Sequence, residues 1–223
     1  MLKGRHVVIT GSTGALGEAV VEVFRSAGAV LHLPIREPAG SGPSGAQVVG
    51  GVDLTDEAAV QTFYASLPGL WASVHLAGGF RAASIAETSL ADLEHLFRLN
   101  LVTTFLCCRE AARAMRRGDG GRIVNVGARV SEVPASGMAA YTVSKAGVAA
   151  LTRSLATELK PAGVLVNAVL PSIIDTPANR QAMPKADHDH WPKADEIART
   201  ILWLAAPENV LTSGALVPVY GRA

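Results

Sequence analysis

Tyr141 and Lys145 are the residues of this chain whose types and spacing most directly suggest chemistry. They stand four positions apart in Y-T-V-S-K, and on a helix that spacing places the phenol and the ammonium on one face, a turn apart. A free tyrosine titrates at roughly 10, too high to serve as a base at neutral pH. A neighbouring cation stabilises the phenolate and lowers that value. The pair could then give or take a proton at a carbonyl or alcohol oxygen. Alone the pattern is weak, because many helices carry one aromatic residue and one lysine.

A second pattern could hold the other reactant. Thr10–Gly17 reads T-G-S-T-G-A-L-G and lies between a strand pattern and a helix pattern. Gly11 permits a tight turn, Gly14 removes a side chain where a pyrophosphate would approach, and Gly17 lets the helix pack closely on the strand. Along Ser12, Thr13, Ala15 and Leu16 the free amides of the helix start would face the phosphates. An ordinary glycine-rich turn is the plain alternative. The next strand ends L-H-L-P-I-R-E, with Ile35 where an acidic residue would bind a ribose hydroxyl and Arg36 following. A guanidinium suits a 2′-phosphate, so NADP(H) is favoured and NAD(H) possible. Otherwise Arg36 is a solvated charge and Glu37 meets the ribose. Asp53, with Leu54 beside it, could accept from an adenine amine or simply neighbour a helix cap.

These residues need a scaffold of alternating strands and helices, and the pattern supplies one. Apolar or β-branched runs predict strands at His6–Thr10, Val30–Ile35, Gln47–Val52, Ala72–Ala77, Arg122–Val126, Val164–Leu170 and Ala215–Val219. Helical spacing predicts helices at Glu18–Ala27, at Leu90–Met115 as one long helix or two joined ones, at Tyr141–Lys160 and at Asp195–Ala205. Another helix starts after Thr55, its expected cap, with Asp56 and Glu57 at the positive end of the dipole. Strands separated by helices imply parallel βαβ units, hence an α/β fold with a Rossmann-like doubly wound sheet of about seven strands and helices on both faces. Pro38–Gly45 reads as a loop rather than a boundary, so residues 1–223 are expected to form a single NAD(P)-binding domain.

Composition narrows the function classes. The 223 residues are 49% hydrophobic and 17% charged, enough apolar material for a sizeable core. A net charge of +1 gives no global field to attract nucleic acid or an anionic membrane. The two cysteines, Cys107 and Cys108, are adjacent on an apolar helix and form neither a disulfide framework nor a spaced metal set. The best uncharged candidate stretch, Ala162–Ile174, is too short and too interrupted to span a membrane. A reducing, cytoplasmic location is expected, with no nucleic-acid or membrane partner. His188 and His190 in D-H-D-H make too thin a ligand set, so no metal is expected. Arg116 and Arg117 read as a solvated helix end.

The glycine turn, the A-G-G of Ala77–Gly79, Asn100 in R-L-N-L, the I-V-N-V-G strand, Tyr141 with Lys145, and N-A-V-L-P-S-I-I-D-T from Asn167 to Thr176 occur in one order. Over nearly the whole chain this resembles the short-chain dehydrogenase/reductase family. The resemblance implies hydride transfer between NADP(H) and a carbonyl or alcohol, with Tyr141 as proton donor or acceptor. Lys145 would bind the nicotinamide ribose and lower the tyrosine pKa, and Asn100 would hold a water that relays protons from Lys145. Ala77, Gly78 and Gly79 would line the adenine ribose side, while Pro171, Ile174 and Thr176 would hold the nicotinamide. The stretch after Thr176 would cover the substrate, making Trp191 with His188 and His190 part of a short lid, and Phe80 could touch substrate. A homo-tetramer or homo-dimer is implied, joined through the two long helices.

The departures matter as much. The family's substrate-orienting serine lies thirteen residues before the tyrosine, where this chain has Ala128. Losing one such hydrogen bond in a polar transition state costs about 2–4 kcal/mol. Ser131 and Ser136 are near but out of register. G-A-L-G in the turn and V-G-A before Tyr141 are similar to dihydropteridine reductase, which also lacks that serine, so a pteridine- or quinonoid-type reductase is one alternative. Another is a catalytically weak dinucleotide-binding sensor or subunit.

Overall fold

The computed structural model describes residues 1–40, 45–116, 118 and 120–222. Seven strands form one sheet: β1 (His6–Thr10), β2 (Val30–Pro34), β3 (Ala46–Val49), β4 (Ala72–His75), β5 (Gly121–Val126), β6 (Val164–Pro171) and β7 (Leu216–Val219). Every pairing is parallel, in the order β3-β2-β1-β4-β5-β6-β7. From β1 the chain winds outward to β3, then returns to β4 on the other side of β1. The crevice outside the carboxyl ends of β1 and β4 is the switch point where such sheets bind ligands.

Helices cover both faces. On one side, α1 (Ala15–Ser26) and α7 (Ala194–Ala205) bury Val20, Phe24, Ile197 and Ile201 against β1, β2 and β4. On the other, α2 (Glu57–Ala65), α4 (Thr103–Met115) and α5 (Ala139–Glu158) bury Val60, Leu106, Cys107, Met115 and Ala156. Burial on both faces explains why β1 reads as a continuous β-branched run. No described helix is long and apolar enough to cross a membrane.

The boundaries depart from the sequence reading where small or polar residues hide an element's start or end. Helix α1 begins at Ala15, three residues before the expected start at Glu18, because Gly14 is its cap. Thr55 does not cap α2; Asp56 does, accepting from the amides of Ala58 and Ala59, while Thr55 turns back to Asp53. β4 ends at His75, which frees Leu76 and Ala77 to line the crevice. β3 ends at Val49, short of the expected Val52. The long Leu90–Met115 helix is α3 (Leu90–Leu96), a π-helical segment over Phe97–Val102, and α4. A short helix, α6 (Pro177–Ala182), lies in the lid stretch, started by the Thr176 hydroxyl accepting from the Asn179 amide. Residues 41–44 of the Pro38–Gly45 loop, and Arg117 of the basic pair, lie outside the described residues.

Candidate active site

A cleft of about 330 Å³ opens at the switch point. Its wall is Gly11–Gly14 of the glycine turn, its floor Leu76, Ala77 and Gly78 after β4, and its far side Arg36 after β2 with Asp53 and Leu54 after β3. The turn is built by contact distances that only glycine satisfies. Gly11 has φ +67°, and a Cβ there would sit 2.7 Å from the Ala77 amide nitrogen. A Cβ on Gly17 would lie 2.2 Å from the Gly11 carbonyl oxygen. Gly14 differs: the nearest atom to its Cβ position is 3.7 Å away, so the bare backbone faces open space in the cleft. No side chain caps α1, whereas Asp56 and Ser89 cap α2 and α3. Uncapped amides at a helix start beside a side-chain-free turn fit a pyrophosphate.

Arg36 stands exposed at the mouth of this cleft. Asp53 accepts from both the amide and the hydroxyl of Thr55, at 2.8 Å each. Those bonds, with Arg36 and Arg98 nearby, hold its carboxyl below the usual value. Asp53 therefore shapes the turn into α2 and still presents an edge to the cleft.

A second group lies beside Gly78 and Gly79. The π-helical segment carries Asn100 fully buried, its side chain stitched to two elements. Oδ1 accepts from the Gly79 amide at 2.9 Å, and Nδ2 donates to the Gly79 carbonyl at 3.1 Å and to Ser144 Oγ at 3.0 Å. Ser144 in turn donates to the Tyr141 carbonyl at 2.7 Å. Asn100 thus ties the loop after β4 to the first turn of α5, fixing where Tyr141 stands relative to the cleft. Its own carbonyl accepts from Thr104 Oγ1 at 2.7 Å. A Cβ on Gly78 would meet Asn100 Oδ1 at 2.6 Å and Lys145 Nζ at 3.4 Å, so this close assembly requires glycine.

Lys145 is buried and donates to the Val126 carbonyl, at the end of β5, at 2.9 Å. Burial lowers it to about 8, leaving it mostly ammonium at neutral pH. Burial also pushes Tyr141 up to about 12. Lys145 is directed to the Val126 carbonyl, and burial is what shifts Tyr141. Such a tyrosine is a fully protonated phenol at neutral pH, the form that can donate. Phe80 packs edge-on against it, ring centroids 5.0 Å apart.

Of the residues singled out from the sequence, Gly11, Ser12, Thr13, Arg36, Asp53, Leu54, Ala77 and Gly78 line the cleft. Gly79, Tyr141, Lys145 and Asn100 form the adjoining cluster. Ala15 and Leu16 lie outside the cleft lining, in the first turn of α1, with Leu16 packed on the core. Pro171 ends β6, the Ile174 carbonyl accepts from Asn179 Nδ2, and Thr176 caps α6. Ala128 is buried just past β5 and brings no hydroxyl. Trp191 is also buried, its ring 4.6 Å from that of His188, so it anchors the lid stretch rather than lining the cleft. Among the described residues no group of three or more His, Cys, Asp or Glu could hold a metal. The sequence reading missed Ser144, which its position three residues after Tyr141 on the same helix face could have revealed. It also missed Leu99, in the π-helical segment, and Thr103, at the start of α4, which line the cleft.

Comparison with known proteins agrees with this geometry. A family model described as short chain dehydrogenase matches residues 5–187. A cyclic-di-GMP-binding biofilm dispersal mediator protein of Escherichia coli is 31% identical, covering 98% of this chain and 96% of its own. An NADPH-dependent aldehyde reductase-like protein of Arabidopsis thaliana is 30% identical, covering 78% and 74%. A double-substituted short-chain dehydrogenase/reductase of Serratia marcescens superposes with a TM-score of 0.87 at 29% identity, covering 99% and 98%.

Proposed function

We propose a function from one premise: the chain belongs to the short-chain dehydrogenase/reductase family and is an NAD(P)-dependent oxidoreductase. Its reaction, in our reading, is the reversible reduction of a small carbonyl compound to an alcohol, with NADP(H) the preferred cofactor. The observation that supports this is the Gly79–Asn100–Ser144–Tyr141 chain, which ties the Tyr141 backbone to the loop after β4 that also lines the cleft.

The Gly11–Gly17 turn and the start of α1 would hold the pyrophosphate, Arg36 a 2′-phosphate, and Ala77 and Gly78 the adenosine ribose. Pro171, Ile174 and Thr176 would border the nicotinamide. The bound dinucleotide supplies or accepts the hydride at the substrate carbon. Tyr141 gives its hydroxyl proton to the carbonyl oxygen as the alcohol forms and recovers it in the reverse direction. The Lys145 ammonium stabilises the phenolate left behind and feeds a proton back towards it, through a relay that Asn100 supports. With Ala128 in place of a hydroxyl, Tyr141 carries the substrate oxygen with one hydrogen bond fewer. A quinonoid substrate, which is easily reduced, would tolerate that loss.

Exposed Phe105 on α4 and Val143 on α5 favour a homo-dimer or homo-tetramer through those helices. The two buried free thiols suit a reducing cytoplasm. A second reading, a dinucleotide-binding protein without turnover, is favoured by Ala128 and by the E. coli relative named for nucleotide binding. Titration with NADPH and NADH, followed by a panel of ketones, aldehydes, quinones and a quinonoid dihydropterin, tests both. NADPH should bind at least about tenfold tighter, about 1.4 kcal/mol, and Arg36→Ala should erase the preference. Equal affinity for both cofactors would remove Arg36's role, and tight binding with no turnover would favour the second reading.

A further inference from the structure

We propose that Arg129 selects for carbonyl substrates bearing a carboxylate, an inference that rests on the reductase reading above and names its substrate class. Arg129 opens a short 3-10 turn, Arg129–Ser131, three residues past the end of β5. Its guanidinium carbon lies 5.1 Å from the ring centroid of Tyr220, the residue after β7. In the sheet β6 lies between β5 and β7, so this pair crosses above the carboxyl end of β6. There Ser172 Oγ donates to the Tyr220 carbonyl at 2.8 Å, which fixes the backbone at Tyr220. The crossing stands at the same edge of the sheet as the cleft, and Lys145 donates to Val126, only three residues before Arg129.

The charge of Arg129 is uncompensated among the described residues. Among the described residues no carboxylate pairs with it, and those on the neighbouring segments are taken. Glu132, in the same turn, faces Arg153 of α5 at 3.9 Å, and Asp175 is bonded to Arg180. A guanidinium set over an aromatic face leaves its N–H fork able to meet a carboxylate. Ala128, one residue earlier, offers no hydroxyl to orient a substrate, and Arg129 brings a positive charge to the same loop.

The test uses a matched pair of probes, 4-carboxybenzaldehyde and its methyl ester, with NADPH and the full-length protein. The account expects kcat/KM at least tenfold higher for the acid. In Arg129→Gln the acid-to-ester ratio should fall at least tenfold, carried by KM rather than kcat, and Arg129→Lys should restore part of it. An equal ratio in the parent, or a variant that slows both probes alike, would mean that Arg129 only straps β7 to β5. If neither probe is reduced, calorimetric titration of the NADP-loaded protein with the acid separates the two ideas. Acid binding lost in Arg129→Gln upholds the anion site while the reductase reading fails; no acid binding overturns the site itself.

Discussion

Two groups of buried polar side chains meet β4 and β5, and they differ in what they leave unused. Between the sheet and α2, α4 and α5, Tyr64 bonds to Ser73, Ser73 to His75 and His75 to Asn125, each at 2.8 Å. Asn125 then donates to Thr152, and Thr152 to the Val148 carbonyl. Each side chain between Tyr64 and Thr152 has a partner on both sides, and the line runs from the Tyr64 hydroxyl to the Val148 carbonyl. The other group, Asn100, Ser144 and Lys145, lies at the carboxyl end of β4. It ends on an ammonium with three N–H donors, of which Val126 takes one. Buried polarity that closes on itself holds strands and helices in register; buried polarity with donors left over is where a reacting group can be served.

Removing one member of each group sharpens that contrast. Lys145→Met should lower kcat by about 10²–10⁴-fold, the range for general acid–base assistance, while the melting temperature holds or rises because a buried charge is gone. Steady-state rates with NADPH and a thermal melt on one sample check this. A variant that keeps its rate and melts early would make the open group structural instead. Thr152→Val should do the reverse. It leaves Asn125 Nδ2 without its acceptor, costs about 1–3 kcal/mol and lowers the melting temperature by roughly 3–10 °C, with kcat/KM unaltered. Lost activity in a stable Thr152→Val protein would join the two groups into one.

Acid should separate them more gently. Burial lowers His75 to about 4, so between about 4 and its ordinary value of 6.5 the unfolded chain binds a proton that the folded chain refuses. Stability is complete above about 6.5 and drains away as pH falls towards about 4. Urea midpoints at pH 7 and pH 5 should show the drop, and a flat profile would mean that His75 is not held neutral by the closed network.

Much of the fold was legible because burial leaves a mark on sequence. His6–Thr10 is a strand to the residue, and the order of elements follows from apolar runs and their spacing. The π-helical segment was not legible, since F-R-L-N-L-V keeps a helical apolar spacing whether its turn is ordinary or wide. Yet that widening puts Asn100 between Gly79 and Ser144. The closed network was equally hidden: His75 and Asn125 are fifty residues apart and meet only because β4 and β5 pair in register. Helix α6 could have been read, because Thr176 followed by Pro177 is a helix-start signal. At the candidate site, types and order pointed to Tyr141 and Lys145, but only the structure shows the lysine turned to Val126 and burial governing the phenol.

The central claim is that Tyr141 moves the proton. Tyr141→Phe removes one oxygen and keeps the ring that Phe80 packs against. Measured on any carbonyl the parent reduces, kcat should fall at least about a hundredfold while the dissociation constant for NADPH changes less than threefold. An unchanged kcat would contradict the account, and would pass the proton to another group at the carboxyl ends of β4 and β5.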